Sequence, residues 1–245
     1  MCLVLLAHRA LAEFPLVLAT NRDEYFARPS APAAWWRHEG VDIFGARDLD
    51  KGGTWLGLTR SGRFAVVTNV RDLSKPPPSD AASRGWLVAD ALAGDAFARA
   101  DRSRFPSFNL LVGEGDTVRY FRDDAEPALV APGVHGLSNH RLDTRWPKVS
   151  AAVRTFESLR TVDSEALFRI LADDARAPDD DLPATGVPLE VERALSPAFV
   201  RLPALAYGTR CSTVILGRAG GGFDFEERTF DATGALAGTV REHVA

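Results

Sequence analysis

Two short apolar runs near the N-terminus give the first structural signal in the sequence. Residues 3–7 and 15–19 are apolar, and a short link with polar residues joins them. This spacing predicts a β-hairpin. A polar tetrapeptide, Asn-Arg-Asp-Glu at residues 21–24, follows the second run. The hairpin is therefore expected to bring this tetrapeptide, at the end of its second strand, back towards Cys2.

Apolar periodicity and turn residues predict further strands and helices along the chain. Ser83 is expected to cap a helix that carries Leu87, Val88, Ala91 and Leu92 on one face. Hairpins are expected at 54–58 with 63–69 and at 212–216 with 222–228. Short strands are expected at 42–45, 108–112, 117–121, 128–130 and 133–138, and helices at 96–100, 145–159, 164–173 and 189–195. Loops are expected at 25–37, which could contain an edge strand, and at 47–53, 75–80 and 177–188.

The order of these elements indicates an α+β protein with antiparallel sheets. Strands come first, followed by a helix, more strands, more helices and final strands, unlike a βαβ repeat. The first two strands are apolar on both faces, so both faces need cover. A four-layer αββα sandwich of two stacked antiparallel sheets meets this need, and a half-open barrel is the alternative. A single domain over 1–245 is the default prediction at this length.

Composition and charge exclude several classes of partner. The chain has 245 residues and a net charge of −4, with no basic block, which argues against nucleic acid as the main partner. No apolar run approaches the roughly 20 residues that a membrane span needs. The apolar run at 3–7 lacks the basic segment that begins a signal peptide, so we expect a cytoplasmic protein. Two cysteines without CxxC spacing, and five histidines without helix-face metal spacing, predict neither a disulfide framework nor a metal site.

Cys2 is the leading candidate nucleophile. A small residue at position 2 favours removal of Met1, which would leave a thiol and a free α-amine on the same residue. An α-amine has a pKa of roughly 7.7–8.0 and could take the thiol proton itself. Nucleophile and base would then come from one residue, as for threonine with its N-terminal amine. The alternative is a buried structural thiol, on the strand face that Cys2 shares with Val4 and Leu6.

Charged and amide side chains elsewhere could complete a site around Cys2. Arg22 could favour the thiolate, while Asp23 or Glu24 could hold the amine; the alternative is a solvated hairpin end with surface ion pairs. Asn69 and Asn139 come at the ends of predicted strands, where asparagine is common in turns. Their amides are also the kind of donor that an oxyanion hole requires.

Two further residues are candidates for secondary roles. Arg210 precedes an apolar strand, and its charge could face the thiol or substrate instead of forming an ordinary salt bridge. Cys211 would face away from Arg210 by strand alternation, so we predict a structural role for it. His135 would share a strand face with Asn139; the alternative is an ordinary half-buried histidine.

Several blocks of sequence resemble the NRDE family, the homologues of transport and Golgi organisation protein 2. Met1-Cys2 and the tetrapeptide at 21–24 carry the first part of this resemblance. The other matching blocks are Gly45-Ala46-Arg47-Asp48, Gly52-Gly53-Thr54-Trp55-Leu56-Gly57, Thr68-Asn69-Val70-Arg71, Gly136-Leu137-Ser138-Asn139, Trp146-Pro147-Lys148-Val149, Tyr207-Gly208-Thr209-Arg210 and Ser212-Thr213. They cover nearly the whole chain in order. The resemblance implies haem handling, lipid or acyl-CoA metabolism, or hydrolysis.

A more distant resemblance is to N-terminal-nucleophile hydrolases of the bile salt hydrolase, penicillin V acylase and acid ceramidase group. It implies an αββα sandwich that cleaves non-peptide amides, with Cys2 as nucleophile. By motif, Asn69 and Asn139 match oxyanion and orienting amides, and Arg210 matches a late arginine. Those enzymes carry Arg-Asn-x-Asp on the second strand. Arg22 and Asp23 supply the same chemistry only if the strand register shifts by one residue.

The leading hypothesis is an amidohydrolase that acts on a small acylated substrate, with no metal or organic cofactor. Predicted catalytic residues are Cys2, Arg22, Asp23, Glu24, Asn69, Asn139 and Arg210, and predicted substrate-binding residues are Asn21, Trp35, Trp55 and His135. The alternative is a carrier that holds haem or a long acyl group in a pocket lined by Trp35, Trp36, Trp55 or phenylalanines. Cys2 or a histidine would then be the axial haem ligand.

Overall fold

A computed structural model describes residues 2–94 and 101–244, with Cys2 described by its backbone. Within these residues the chain forms two seven-stranded antiparallel sheets and four α-helices. It divides into two compact units, one of Met1–Ala27 with Pro132–His243 and the other of Arg28–Ala131 with Val244–Ala245. Each unit contains one of the two sheets.

The sheet of the first unit has the N-terminal hairpin at its centre. Its strand order is β10-β1-β2-β12-β13-β14, and β11 pairs with β12. The strands are β1 (Cys2–His8), β2 (Leu16–Tyr25), β10 (Gly133–Leu137), β11 (Arg201–Leu202), β12 (Tyr207–Gly217), β13 (Phe223–Phe230) and β14 (Leu236–Val244). The helices are α2 (Pro147–Glu157), α3 (Ser164–Leu171) and α4 (Leu189–Leu195), with 3-10 turns at Asp179–Asp181 and Pro203–Leu205.

One face of this sheet packs against α2 and α3. Side chains alternate between the faces of a strand, and the odd-numbered apolar residues of β1 and β2 belong to the core that includes these helices. This core contains Leu3, Leu5, Ala7, Val17, Ala19, Trp146, Val149, Phe156, Leu167 and Leu171. The helix-facing side of β2 is therefore the side of its odd-numbered residues.

The second unit is a meander in which each strand pairs with the next. Its sheet runs β3-β4-β5-β6-β7-β8-β9, and β3 is an edge strand, as the sequence suggested for the 25–37 segment. The strands are β3 (Ser30–His38), β4 (Val41–Asp48), β5 (Leu56–Thr59), β6 (Phe64–Asn69), β7 (Phe108–Glu114), β8 (Thr117–Arg122) and β9 (Ala128–Leu129). Helix α1 (Arg84–Leu92) packs on this sheet, and Ser83 accepts the Gly85 N–H as the predicted N-cap.

Polar residues continue several strands beyond their predicted ends. The 21–24 tetrapeptide lies inside β2 rather than after it, and Arg47 and Asp48 belong to β4 rather than to a turn. Arg210 likewise lies within β12, and β14 was not predicted. In β2 the cause is pairing with its neighbours, because β1 supplies backbone partners as far as Arg22 and β12 continues as far as Tyr25. The helix predicted at 96–100 lies outside the described residues.

Gly53 makes a close backbone contact in the second unit. Its φ is +73°, and a Cβ added there would lie 2.4 Å from the carbonyl carbon of Gly85 in α1. Thr54 N–H also donates to the Gly85 carbonyl at 3.1 Å. We expect Gly53→Ala to lower the free energy of unfolding by about 3 kcal/mol, because left-handed strain and overpacking act together. Urea denaturation measures this loss.

Gly40→Ala is the matched control for that loss. Gly40 has a φ of +81° in the turn between β3 and β4, but a Cβ there would meet no atom within 4 Å. Only the left-handed backbone is penalised, so the expected loss is about 1 kcal/mol. Equal losses in the two variants would contradict the proposed contact between Gly53 and α1.

Candidate active site

The strand register places Arg22 opposite Cys2. In the β1–β2 ladder Cys2 pairs with Arg22 and Leu3 pairs with Asn21, and Arg22 also pairs with Cys211 on β12. Arg22 and Glu24 therefore lie on the sheet face turned away from the helices. Asn21 and Asp23 lie on the helix-facing side. The tetrapeptide thus serves both faces of the sheet at the end of β1 where Cys2 lies.

Asn139 approaches the row of Cys2 from the other neighbouring strand. The β1–β10 ladder runs from His8 opposite Gly133 to Val4 opposite Leu137. The same register continued by two residues would bring Asn139 beside Cys2. Asn139 is fully buried, and its Oδ1 accepts the Ser138 hydroxyl at 3.3 Å. A buried amide at this row suits the predicted orienting role, which stays a prediction.

Asn21 ties the tetrapeptide to the helical layer of the first unit. Its Nδ2 donates to the carbonyl oxygens of Leu171 and Ala198, each at 2.8 Å. Its Oδ1 accepts the Ser212 hydroxyl at 2.6 Å. The side chain is fully buried. Substrate binding by Asn21 stays a prediction, and the contacts themselves assign this amide to positioning β2.

Asp23 is a buried carboxylate on the same side of the sheet. Its Oδ1 accepts the Thr209 hydroxyl at 2.7 Å, and that Oγ1 in turn accepts the Val200 N–H at 2.9 Å. Burial raises the pKa of Asp23, while the positive charge of Lys148 and the hydrogen bond from Thr209 act in the opposite direction. Lys148 and Thr209 therefore favour the ionised form of Asp23, and burial opposes it.

Arg22 and Glu24 form the charged pair on the opposite face. Arg22 Nη2 lies 3.8 Å from Glu24 Oε2, and Arg22 is buried despite its charge. Glu24 Oε1 also accepts the N–H of Tyr25 at 2.9 Å. A guanidinium held in this way opposite Cys2 would favour a thiolate at that position.

A β-bulge directs Arg210 towards this pair. The β2–β12 register shifts between Thr209, which pairs with Asp23, and Cys211, which pairs with Arg22, so Arg210 is the extra residue. Arg210 Nη1 donates to the carbonyl oxygen of Tyr25 at 3.0 Å. Partial burial and the neighbouring Arg22 charge lower the pKa of Arg210. A second guanidinium therefore acts by charge on Arg22, the residue that pairs with Cys2.

The family of the chain follows from comparison of its sequence with known proteins. The sequence model of the Transport and Golgi organisation 2 family matches residues 1–232. The chain belongs to this family. It is similar to the Transport and Golgi organization protein 2 homolog of Bos taurus, with 34% identity covering 88% of this chain and 87% of that protein. The Homo sapiens homolog is 29% identical over 242 residues, with the same coverage of both chains.

A solved structure shows the same fold. The chain is similar to the C2A mutant of conjugated bile acid hydrolase from Clostridium perfringens, with a TM-score of 0.56 and 9% identity. The similarity covers 99% of this chain and 92% of that chain. It confirms the predicted α+β fold of antiparallel sheets and the resemblance in fold to N-terminal-nucleophile hydrolases.

Three residues of the cluster were not singled out from the sequence. Lys148, Thr209 and Ser212 support Asp23 and Asn21 from α2 and β12. All three lie within blocks that match the Transport and Golgi organisation 2 family. The blocks that contain these three residues were the available signal, but lysine, threonine and serine are common residues, and no local pattern indicates the partner of any of them.

His135 is not brought to the row of Cys2. It pairs with Leu6, four residues further along β1, which corresponds to about 13 Å at the strand rise per residue. Its Nδ1 lies 2.8 Å from Asp143 Oδ2. A role for His135 in substrate binding stays a prediction. At this distance His135 would contact a part of the ligand that is remote from the reacting bond.

Asn69, Trp35 and Trp55 belong to the second unit. Asn69 ends β6 opposite Phe108, in the predicted strand-end position. The ring of Trp35 lies 5.2 Å from that of Phe44, with the Arg60 guanidinium 4.0 Å from its centroid. Trp55 packs against the core beneath α1. Their predicted roles towards oxyanion and substrate stay predictions.

Residues 2–94 and 101–244 contain neither a metal-binding cluster nor a membrane-spanning helix. No group of three or more histidine, cysteine, aspartate or glutamate side chains there could hold a metal ion. Among the helices of the same residues, none has the length and apolar character needed to cross a membrane.

Proposed function

We propose that the protein is an N-terminal-nucleophile hydrolase that cleaves the carbon–nitrogen bond of a small acylated amide, with Cys2 as its nucleophile. The observation that carries this proposal is the pairing of Cys2 with Arg22 across the β1–β2 hairpin. The fold likeness adds support, because the related structure is that of a hydrolase studied as its C2A mutant.

The proposed reaction begins after removal of Met1. The free α-amine of Cys2 takes the thiol proton, and the thiolate attacks the carbonyl carbon of the amide. The resulting oxyanion collapses as the carbon–nitrogen bond breaks, and the α-ammonium returns the proton to the departing amine. A water molecule, deprotonated by the same amine, then attacks the acyl-thioester. The products are a carboxylic acid and the regenerated thiol.

The surrounding side chains would divide the remaining work. Arg22 and Arg210 would hold the thiolate and the substrate by charge. Asn139 would orient the Cys2 amine or carbonyl, and Asn69 is proposed as an oxyanion donor. Glu24 would keep Arg22 in place through their ion pair. Asp23, on the helix-facing side, would act by fixing Thr209 and the bulge that carries Arg210.

The test is a panel of N-acyl amides with different acyl chains and amine groups. We expect hydrolysis of at least one member and an acyl adduct on Cys2 in intact-mass spectra of rapidly acid-quenched samples. The matched control is the same protein with an extra residue retained before Cys2, which blocks the α-amine and should prevent both results. Hydrolysis that is equally fast with the blocked N-terminus would contradict the self-activated nucleophile.

The carrier alternative is tested with the same protein. No contact among the described residues favours haem over other ligands, so carrier function is an outcome of the experiment rather than a second proposal. A Soret shift on adding haem that disappears in Cys2→Ala, with no hydrolysis of the amide panel, would replace the hydrolase proposal.

A further inference from the structure

A pocket of about 400 Å³ lies within the first unit, on the helix side of its sheet. The first turns of α2 form one wall, and the segments 173–181 and 196–198 form the others. The pocket is separate from the Cys2–Arg22 row, which belongs to the opposite face of β2. The proposed hydrolysis places no substrate group in this pocket, although Lys148 in its lining also acts on Asp23 by charge.

Basic side chains outnumber acidic ones in the lining of this pocket. Four cationic residues face two acidic ones, Asp173 and Asp181, which leaves a formal charge of +2. The cationic residues are Arg145, Lys148, Arg154 and Arg176. Within the described part of the chain, none of the three arginines forms an ion pair. Three such guanidinium groups around one pocket provide donors for an anionic ligand.

Lys148 contributes a buried positive charge to the lining of the pocket. It is 5% exposed, lies in the first turn of α2 and lines the pocket. The N-cap residue of α2, Trp146, makes no side-chain hydrogen bond to the first turn. The 11-residue helix therefore adds the positive end of its dipole to the charge of Lys148 at this wall.

We propose that this pocket binds the phosphate group of a small phosphate monoester. The net charge of the lining matches a phosphate dianion better than a single carboxylate, and arginine forks bind phosphate in a bidentate manner. The volume exceeds that of a phosphate group, so the remainder of the ligand would occupy the space beside Ser150 and Pro197.

Ligand binding in this pocket would affect the tetrapeptide at residues 21–24, because two pocket residues also interact with Asn21 and Asp23. The pocket residue Ala198 accepts the amide of Asn21 at 2.8 Å through its carbonyl oxygen. Lys148 also acts on the Asp23 carboxylate by charge. The site stands independently of amide hydrolysis, because binding can be measured without any substrate.

The test is titration of the full-length protein with inorganic phosphate at constant ionic strength, followed by backbone amide NMR. We expect the largest shifts at residues 145–154, 173–181 and 196–198. The variant Arg154→Gln with Arg176→Gln should weaken phosphate binding about 100-fold, at roughly tenfold for each charged hydrogen-bonding partner. Both arginines are exposed, so the fold should tolerate the changes.

Arg160→Gln is the matched control, since it removes the same charge from an exposed arginine outside the pocket. It should leave phosphate affinity unchanged. An acetate titration separates the ligand classes, and acetate should bind at least tenfold more weakly than phosphate. Absence of the phosphate shifts, equal loss in the control, or acetate binding as tight as phosphate would each overturn the proposal.

Discussion

Replacing Cys2 by alanine is expected to lower amide turnover by about 10³-fold or more, because it removes the group that forms the acyl-enzyme. Arg22, Arg210 and the buried amides would remain and could still bind substrate. The loss should therefore appear in kcat, with little change in KM. Steady-state kinetics on the best amide of the panel, together with the absence of an acyl adduct in the mass spectrum, measures both effects.

Cys211→Ala provides the control for this result. Cys211 is buried and pairs with Arg22 on the other side of β2. The substitution therefore alters the same row of the sheet and leaves the proposed nucleophile unchanged. It should keep nearly full turnover. Cys2→Ser should keep the geometry but lose most of the rate, because the hydroxyl is a poorer nucleophile. Turnover of Cys2→Ala close to that of the unchanged protein would remove the mechanism.

Local patterns predicted most of the secondary structure. The hairpin at the N-terminus, the β5–β6 hairpin and the Ser83 cap were each predictable because neighbouring residues determine them. The sequence predicts the tetrapeptide after its strand, because polar residues usually end a strand. Its side chains instead find partners on both faces, as Asn21 and Arg22 show. Polarity alone could not reveal those partners.

The site depends on contacts that no local pattern contains. Asn21 bonds to carbonyl groups 150 and 177 residues away along the chain. The bulge at Arg210 shifts the register between β2 and β12, and the nearest glycine, Gly208, pairs in register with Glu24 and does not mark the shift. Strand position and side-chain chemistry, together with the family resemblance, made Asn139 and Arg210 candidates. Only the sheet register shows that Arg22, rather than Asn21, lies opposite Cys2.

Register also explains how the departure from Arg-Asn-x-Asp can be accommodated. Arg22 takes the position opposite Cys2 in the β1–β2 ladder, so the arginine of the tetrapeptide shares a row with the proposed nucleophile. Asp23 then falls on the helix-facing side, where burial raises its pKa and Lys148 and Thr209 offset part of that effect. Asp23 thus contacts Thr209 next to the bulge on β12 and interacts by charge with Lys148 of α2.

Asn21→Ala is expected to lower the free energy of unfolding by about 3–5 kcal/mol, the largest stability loss predicted here. The change removes two donors from the buried carbonyl groups of Leu171 and Ala198 and the acceptor of the Ser212 hydroxyl. Each buried polar group left without its partner costs about 1–3 kcal/mol. Urea denaturation followed by tryptophan fluorescence and by circular dichroism measures the loss.

Ser212→Ala separates the contribution of the Ser212 hydrogen bond from that of the two carbonyl contacts of Asn21. It removes one hydrogen bond to Asn21 and leaves both carbonyl contacts intact, so the expected loss is only about 1 kcal/mol. A double variant should lose no more than Asn21→Ala alone, because the Ser212 hydroxyl has no role there once the amide is absent. If Asn21→Ala instead costs as little as Ser212→Ala, then the two carbonyl contacts do not fasten β2 to the helical layer. Arg22 would in that case owe its position opposite Cys2 to the strand ladders alone.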